Sequence, residues 1–172
     1  MQGITRRDWL LAGSCWAELL RAQNGSAPLR YFDPATAAEI EAIAETIMPP
    51  DGTPGAREAD VIRFIDGALA GYDEDKRAIY TDGLTDLQAR RTRLFPGSAA
   101  IASLASEQRI VLMKSIEQTE FFRTIRLHTI LGFFGNPKHG GNRDFAGTKL
   151  LGIETSMHFM PPFGYYDREE NR

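Results

Sequence analysis

The chain has one cysteine, Cys15, in 172 residues. A single thiol excludes an intramolecular disulfide, a cysteine-rich zinc site and an iron–sulfur cluster held by this chain alone. There is no C-x-x-C-H run, so a covalently attached c-type haem is excluded too. Long apolar runs are missing: nothing approaches the roughly 20 continuous apolar residues of a membrane-spanning helix. Excess positive charge is missing as well. The net charge of −3 offers no electrostatic footprint for nucleic acid. No P-loop, no G-x-G-x-x-G and no G-x-S-x-G elbow occurs, so neither nucleotide binding nor a serine nucleophile is indicated. His128, His139 and His158 are not spaced as a helical metal pair. What remains is ordinary globular composition, 42% hydrophobic and 25% charged, at a length that suits one domain.

The N-terminus reads as an address. Thr5-Arg6-Arg7-Asp8-Trp9-Leu10 precedes a short apolar stretch, and the small, polar run Gln23-Asn24-Gly25-Ser26-Ala27 follows it. This resembles a twin-arginine export signal, with Arg6, Arg7, Trp9 and Leu10 as its core and Trp9 where phenylalanine is commonest. Gly13, Ser14 and Glu18 weaken the apolar stretch, which suits a route that carries folded cargo. The competing reading is a cytosolic amphipathic helix with Trp9, Trp16 and Leu20 along one side. Ala12-Gly13-Ser14-Cys15 also faintly resembles a lipoprotein box, without the usual leucine three positions before the cysteine. The export reading places residues 1–27 in a signal, gives the chain a periplasmic destination and makes the twin-arginine translocase a partner.

The body reads as all-α. Asp33 and Pro34 form a helix start, and Ile40, Ile43, Ala44, Ile47 and Met48 make one apolar stripe that Pro49-Pro50 must end. A second helix is expected from about Arg57 to Leu69, closed by Gly71. A third is expected from Glu74 to Arg91, with Gly83 inside it marking close packing. The fourth and longest is expected to start at a Ser106 cap and to carry Ile110, Met113, Ile116, Phe121, Phe122, Ile125, Leu127, Ile130 and Leu131. Asp73-Glu74-Asp75 reads as a solvated helix start favoured by the helix dipole. No β-hairpin or βαβ pattern appears. The expected fold is an irregular bundle of about four main helices, with a glycine-rich loop and an extended aromatic and proline-rich tail.

That loop is Gly135-Asn136-Pro137-Lys138-His139-Gly140-Gly141-Asn142-Arg143-Asp144. The tail, His158-Phe159-Met160-Pro161-Pro162-Phe163-Gly164-Tyr165-Tyr166, is too apolar for a free disordered end. It should lie either on the chain's own helices or on another subunit. Arg126, His128, His139, Arg143 and Asp144 could together form a small-molecule site, or could fasten the loop back onto the helix.

Three blocks then carry a family resemblance. The first is Thr53-Pro54-Gly55-Ala56-Arg57-Glu58-Ala59 with Val61 and Phe64-Ile65-Asp66. The second is Tyr80 with Gly83-Leu84. The third joins Phe121-Phe122, Arg126-Leu127-His128-Thr129, Gly132-Phe133-Phe134-Gly135-Asn136-Pro137 and Gly140-Gly141-Asn142-Arg143-Asp144. Over roughly Asp33 to Gly152 the chain resembles the gluconate 2-dehydrogenase subunit 3 family. It departs at Gly147-Thr148-Lys149, where the family usually has Gly-Trp-Lys, and at His139, where an aromatic is usual.

The resemblance implies a small accessory subunit of a membrane-bound, periplasm-facing sugar or alcohol dehydrogenase, with no catalytic residue, cofactor or metal of its own. It implies a flavoprotein large subunit of the glucose–methanol–choline type, which holds FAD and oxidises the substrate. In some complexes a cytochrome c subunit with haem c takes the electrons onward. The small subunit would stabilise the flavoprotein and escort it through the twin-arginine route. Residues 1–27 are then the signal, 28–152 the helical small-subunit domain and 153–172 the tail. The expected partner contacts are Arg126, His128, Phe133, Phe134, Asn136, His139, Asn142, Arg143 and Asp144, with Phe159, Phe163, Tyr165 and Tyr166 of the tail. One rival is an independent exported sugar-binding domain or enzyme that uses Arg126, His128, His139, Arg143 and Asp144. Another is a self-associating helical protein whose tail docks on a second copy.

Overall fold

Asp33 is a working N-cap. Its carboxylate accepts the backbone N–H groups of Ala35 and Thr36 at 2.9 and 3.1 Å, and Pro34 opens helix α1 (Pro34–Ile47). The computed structural model describes residues 28–153, so the expected export signal and nearly all of the tail lie outside the described residues. Five further helices follow: α2 (Val61–Ala70), α3 (Arg77–Leu94), α4 (Ser106–Lys114), α5 (Glu120–Phe134) and α6 (Ala146–Leu150). Short 3-10 turns cover Glu74–Lys76, Ile101–Ser103, Pro137–His139 and Arg143–Phe145. No strand occurs among the described residues, as the all-α expectation required.

Four details differ from the sequence expectation, each for a local reason. Helix α2 starts at Val61, because Asp60 takes a left-handed backbone (φ 55°) and the preceding Gly55–Asp60 stretch is a turn. Residues Glu74–Lys76 wind as 3-10 helix, and α3 proper begins at Arg77. The expected single helix from Ser106 onward is two helices. Thr119 breaks it by capping α5, its hydroxyl accepting the Phe122 N–H at 3.2 Å. Ser106 is the first residue of α4 and not its cap; there the Gln108 side chain accepts the Ala105 N–H at 3.1 Å.

Helix α5 lies against α1, α2, α3 and α6. Its inward face carries Phe121, Ile125, His128, Thr129, Gly132 and Phe133, all buried. They meet Ile40 and Ile43 of α1, Ile65 and Leu69 of α2, and Tyr80 and Leu87 of α3 in one core. Two glycines set the helix spacing. A Cβ on Gly132 would sit 3.0 Å from both Phe64 and Val61 of α2. A Cβ on Gly83 of α3 would overlap the Phe121 ring. The first sequence block, which supplies Val61 and Phe64 here, also ties the helices together through Arg57. Arg57 bonds Glu45 of α1 at 3.0 Å, and Arg109 of α4 bonds the same carboxylate at 3.1 Å. One glutamate thus joins three segments.

Gly83→Ala tests the α3–α5 spacing. Overpacking costs about 1–3 kcal/mol, against the roughly 1 kcal/mol that alanine returns to a helix. The variant should therefore unfold at a lower urea concentration than the parent. An unchanged or raised midpoint would refute the close-packing role.

Candidate functional site

The glycine-rich loop returns across the end of α5. Gly141 has φ +69°, and a Cβ there would overlap the Gly132 carbonyl, so the position needs glycine twice over. Asn142 follows in a left-handed conformation (φ 42°), which asparagine tolerates better than most residues. Its buried amide is fully used. Nδ2 donates to the Gly135 carbonyl at 2.7 Å and to Thr148 Oγ1 at 2.9 Å, and Oδ1 accepts the Gly147 N–H at 2.9 Å. Thr148 thus supplies a hydroxyl acceptor to the buried amide. Arg143 completes the fastening: its N–H donates to the Ala59 carbonyl at 3.0 Å and its guanidinium pairs with Asp60.

His128 is 1% exposed and sits on a hydrogen-bonded chain through the core. Nδ1 lies 2.9 Å from the Tyr80 hydroxyl and Nε2 lies 3.2 Å from Asp73. A carboxylate only accepts, so in the neutral imidazole Nε2 carries the hydrogen and Nδ1 accepts the Tyr80 O–H. Asp73 also pairs with Lys76. Asp73 is therefore more than a solvated helix start, because it orients a core histidine. Burial pushes the imidazole below its ordinary value of 6.5 and outweighs the Asp73 carboxylate, which pulls the other way. Burial pushes the Tyr80 hydroxyl up.

A buried acid holds the start of the domain. Asp66 of α2 is 3% exposed. Its Oδ2 accepts the Arg30 N–H at 2.7 Å, and its Oδ1 accepts the Tyr31 and Phe32 N–H groups at 2.9 and 3.0 Å. Arg77 of α3 lies over the Tyr31 ring, 5.2 Å from its centre, and donates to the Leu69 carbonyl at 2.7 Å. Only a few residues separate this clamp from the end of the expected signal. The sequence reading put Tyr80 on the buried side of the third helix and Asp66 in the first family block, and foresaw a hydrogen-bonding role for neither. A signal for Asp66 existed: it lies four residues after Ile62 and three before Leu69, an acid inside the apolar stripe of α2.

The sequence-derived candidates therefore separate. His128, Phe133 and Asn142 are buried and hold the fold. Arg126 is exposed and lines a groove of about 230 Å³ with Ile47, Ile110, Met113 and Phe122. Two helical residues from His128, it projects roughly 160° away from it. Phe134 is half-buried, edge-on to Phe133 at 4.9 Å. Asn136, His139, Arg143 and Asp144 are exposed along the loop, where Asn136 Oδ1 accepts the Lys138 N–H at 3.0 Å. Phe159, Phe163, Tyr165 and Tyr166 lie outside the described residues. No group of three or more histidine, cysteine or acidic side chains placed to hold a metal occurs among the described residues. No described helix is long and apolar enough to cross a membrane.

A family model described as gluconate 2-dehydrogenase subunit 3 matches residues 34–152. No curated protein and no solved structure matches the chain.

Two predictions follow from the buried groups. Hydrogen bonds to a charged group contribute about 1.5–3 kcal/mol each. Asp66→Ala should thus cost at least about 3 kcal/mol in urea unfolding and speed amide exchange at residues 30–32. Unchanged exchange there would remove the clamp. For His128, the folded state binds the second proton more weakly than an unfolded histidine does. The stability it contributes is complete above pH 6.5 and declines as pH falls below that value. The difference in unfolding free energy between the parent and His128→Gln should therefore shrink from pH 7.5 to pH 5. A difference that does not change with pH would show that this histidine is not held neutral.

Proposed function

Because the chain belongs to the gluconate 2-dehydrogenase subunit 3 family, a subunit family of a dehydrogenase complex, we propose that it is the non-catalytic accessory subunit of an FAD-dependent sugar or alcohol dehydrogenase in the periplasm. Its partner is a flavoprotein of the glucose–methanol–choline type, which holds the FAD and carries out the oxidation. In complexes that include a cytochrome c subunit, the haem c there takes the electrons. This chain binds and stabilises the flavoprotein, and its Arg6-Arg7 signal directs the folded pair to the twin-arginine translocase.

One observation carries this reading: His128, Asn142 and Arg143, the polar centre of the Arg126–Asp144 region, are engaged by the fold. Both nitrogens of His128 face partners within the core, Asn142 makes three hydrogen bonds, and Arg143 pairs with Asp60. A sugar site built from Arg126, His128, His139, Arg143 and Asp144 would need these groups free and convergent. Arg126 and His128 point to opposite sides of α5 instead. The surface left for a partner includes Arg126, Phe134 and the exposed loop residues Asn136, His139 and Asp144.

Export tests the proposal. Co-expression with a flavoprotein that lacks its own signal should give a stable complex. The double variant Arg6→Lys, Arg7→Lys should leave both chains in the cytoplasm, read by fractionation and periplasmic dye-linked dehydrogenase activity. Normal export of the flavoprotein without this chain would end the escort role.

A further inference from the structure

Two depressions run into one another along the seam between α1 and α4. The groove of about 230 Å³ that Arg126 borders has an apolar floor: Ile47 of α1, Ile110 and Met113 of α4, and Phe122 of α5. A second, of about 320 Å³, continues it past Ile110 to Pro49 and Pro50. Ile110 at the junction is 46% exposed. The joint trough follows α4 from Ser106 to Lys114, a run of about 12 Å. That length receives about four residues of extended chain or about two turns of helix. The charges at its two ends differ. At the Pro49-Pro50 end, Arg109 is paired with Glu45. Other arginines of the domain are fasteners too: Arg90 pairs with Asp86, and Arg91 holds the Gln88 and Ser98 side chains. At the Phe122 end, Lys114, Glu117 and Arg126 line the groove, and none of their side chains has a partner among the described residues. Two cations against one carboxylate leave this end positive on a chain whose net charge is −3. Further out on α5, exposed Arg123 and Glu120 offset each other.

We propose that this trough docks the flavoprotein subunit, through a segment that lays a large apolar side chain on Ile110 and Phe122 and presents a carboxylate to Arg126. The assignment rests on the accessory-subunit reading and adds to it the place and the chemistry of the contact. The chain belongs to a subunit family, which supplies a second chain for a face that the described residues leave open. Charge selects the segment. A guanidinium with no partner of its own gains most from a carboxylate, and the apolar side chain beside it keeps water off the pair. The trough is preformed. Pro49-Pro50 end α1 just beyond Ile47, the Glu45 pair ties α1 to α4, and the Thr119 cap fixes the turn of α5 that carries Phe122. A segment that docks here therefore need not reorder the domain. Arg126 makes the trough continuous with the partner surface described above.

Retention of the co-expressed flavoprotein by the full chain tests the assignment. Ile110→Asp puts a charge on the floor at a half-exposed position, and Arg126→Glu reverses the rim. Each should cut the flavoprotein retained per small subunit by at least about tenfold, while the urea midpoint of the chain stays that of the parent. Leu94→Asp, at an exposed leucine of α3 outside the trough, should retain it fully. Full retention by both trough variants would overturn this assignment and leave the accessory-subunit reading standing. A parent chain that retains no flavoprotein would overturn both. A photo-crosslinker at position 110 needs no disruptive variant. It should capture a flavoprotein peptide that carries an acidic residue, and changing that residue to arginine should restore retention by Arg126→Glu. Capture confined to peptides of this chain, from the same or a second copy, would overturn the assignment.

Discussion

The approach of α5 to α2 and α3 is the constraint on which the described fold depends. Gly132 lets α5 close on Phe64 and Val61, and Gly83 lets α3 receive the Phe121 ring. Helices this close expel water, so the polar groups between them must satisfy one another. His128 does so through Tyr80 on one side and Asp73 on the other. The same closeness leaves no room for side chains where the loop crosses the end of α5, which is why Gly141 stands against the Gly132 carbonyl. The loop, the buried histidine and the interior glycine of α3 are consequences of one spacing.

Two carboxylates then extend the constraint outward. Asp66 gathers three consecutive backbone N–H groups and fixes the point where the N-terminal segment meets the domain. Glu45 joins α1 to Arg57 and Arg109. These groups are positioned for holding rather than for reacting: each carboxylate is matched to donors of the fold itself.

Much of this was legible beforehand. The Asp33-Pro34 start and the Pro49-Pro50 stop of α1 are local signals, and the helix obeys them. Gly83 was legible as a close contact because a glycine inside a helix needs a reason. The break between α4 and α5 was not legible. No glycine or proline marks it, and Ile116 is buried in the connection, so the apolar spacing runs on unbroken. Asp60 hid the start of α2, because an aspartate visits the left-handed region without announcing it as a glycine would. Among the candidate contacts, His128 and Phe133 are turned inward by the rotation of α5, and Asn142 by the loop that folds back on the end of that helix.

The sequence by itself determined the helical class, the family and the composition of the tail, because each rests on residue types at short spacing. The tertiary structure alone decided which polar residues are structural and which remain on the surface. Asp66 meets residues 30–32 and His128 meets Tyr80 and Asp73 across dozens of positions. Such pairings arise only when helix packing brings distant segments into one low-dielectric interior, where a carboxylate or an imidazole must find a partner.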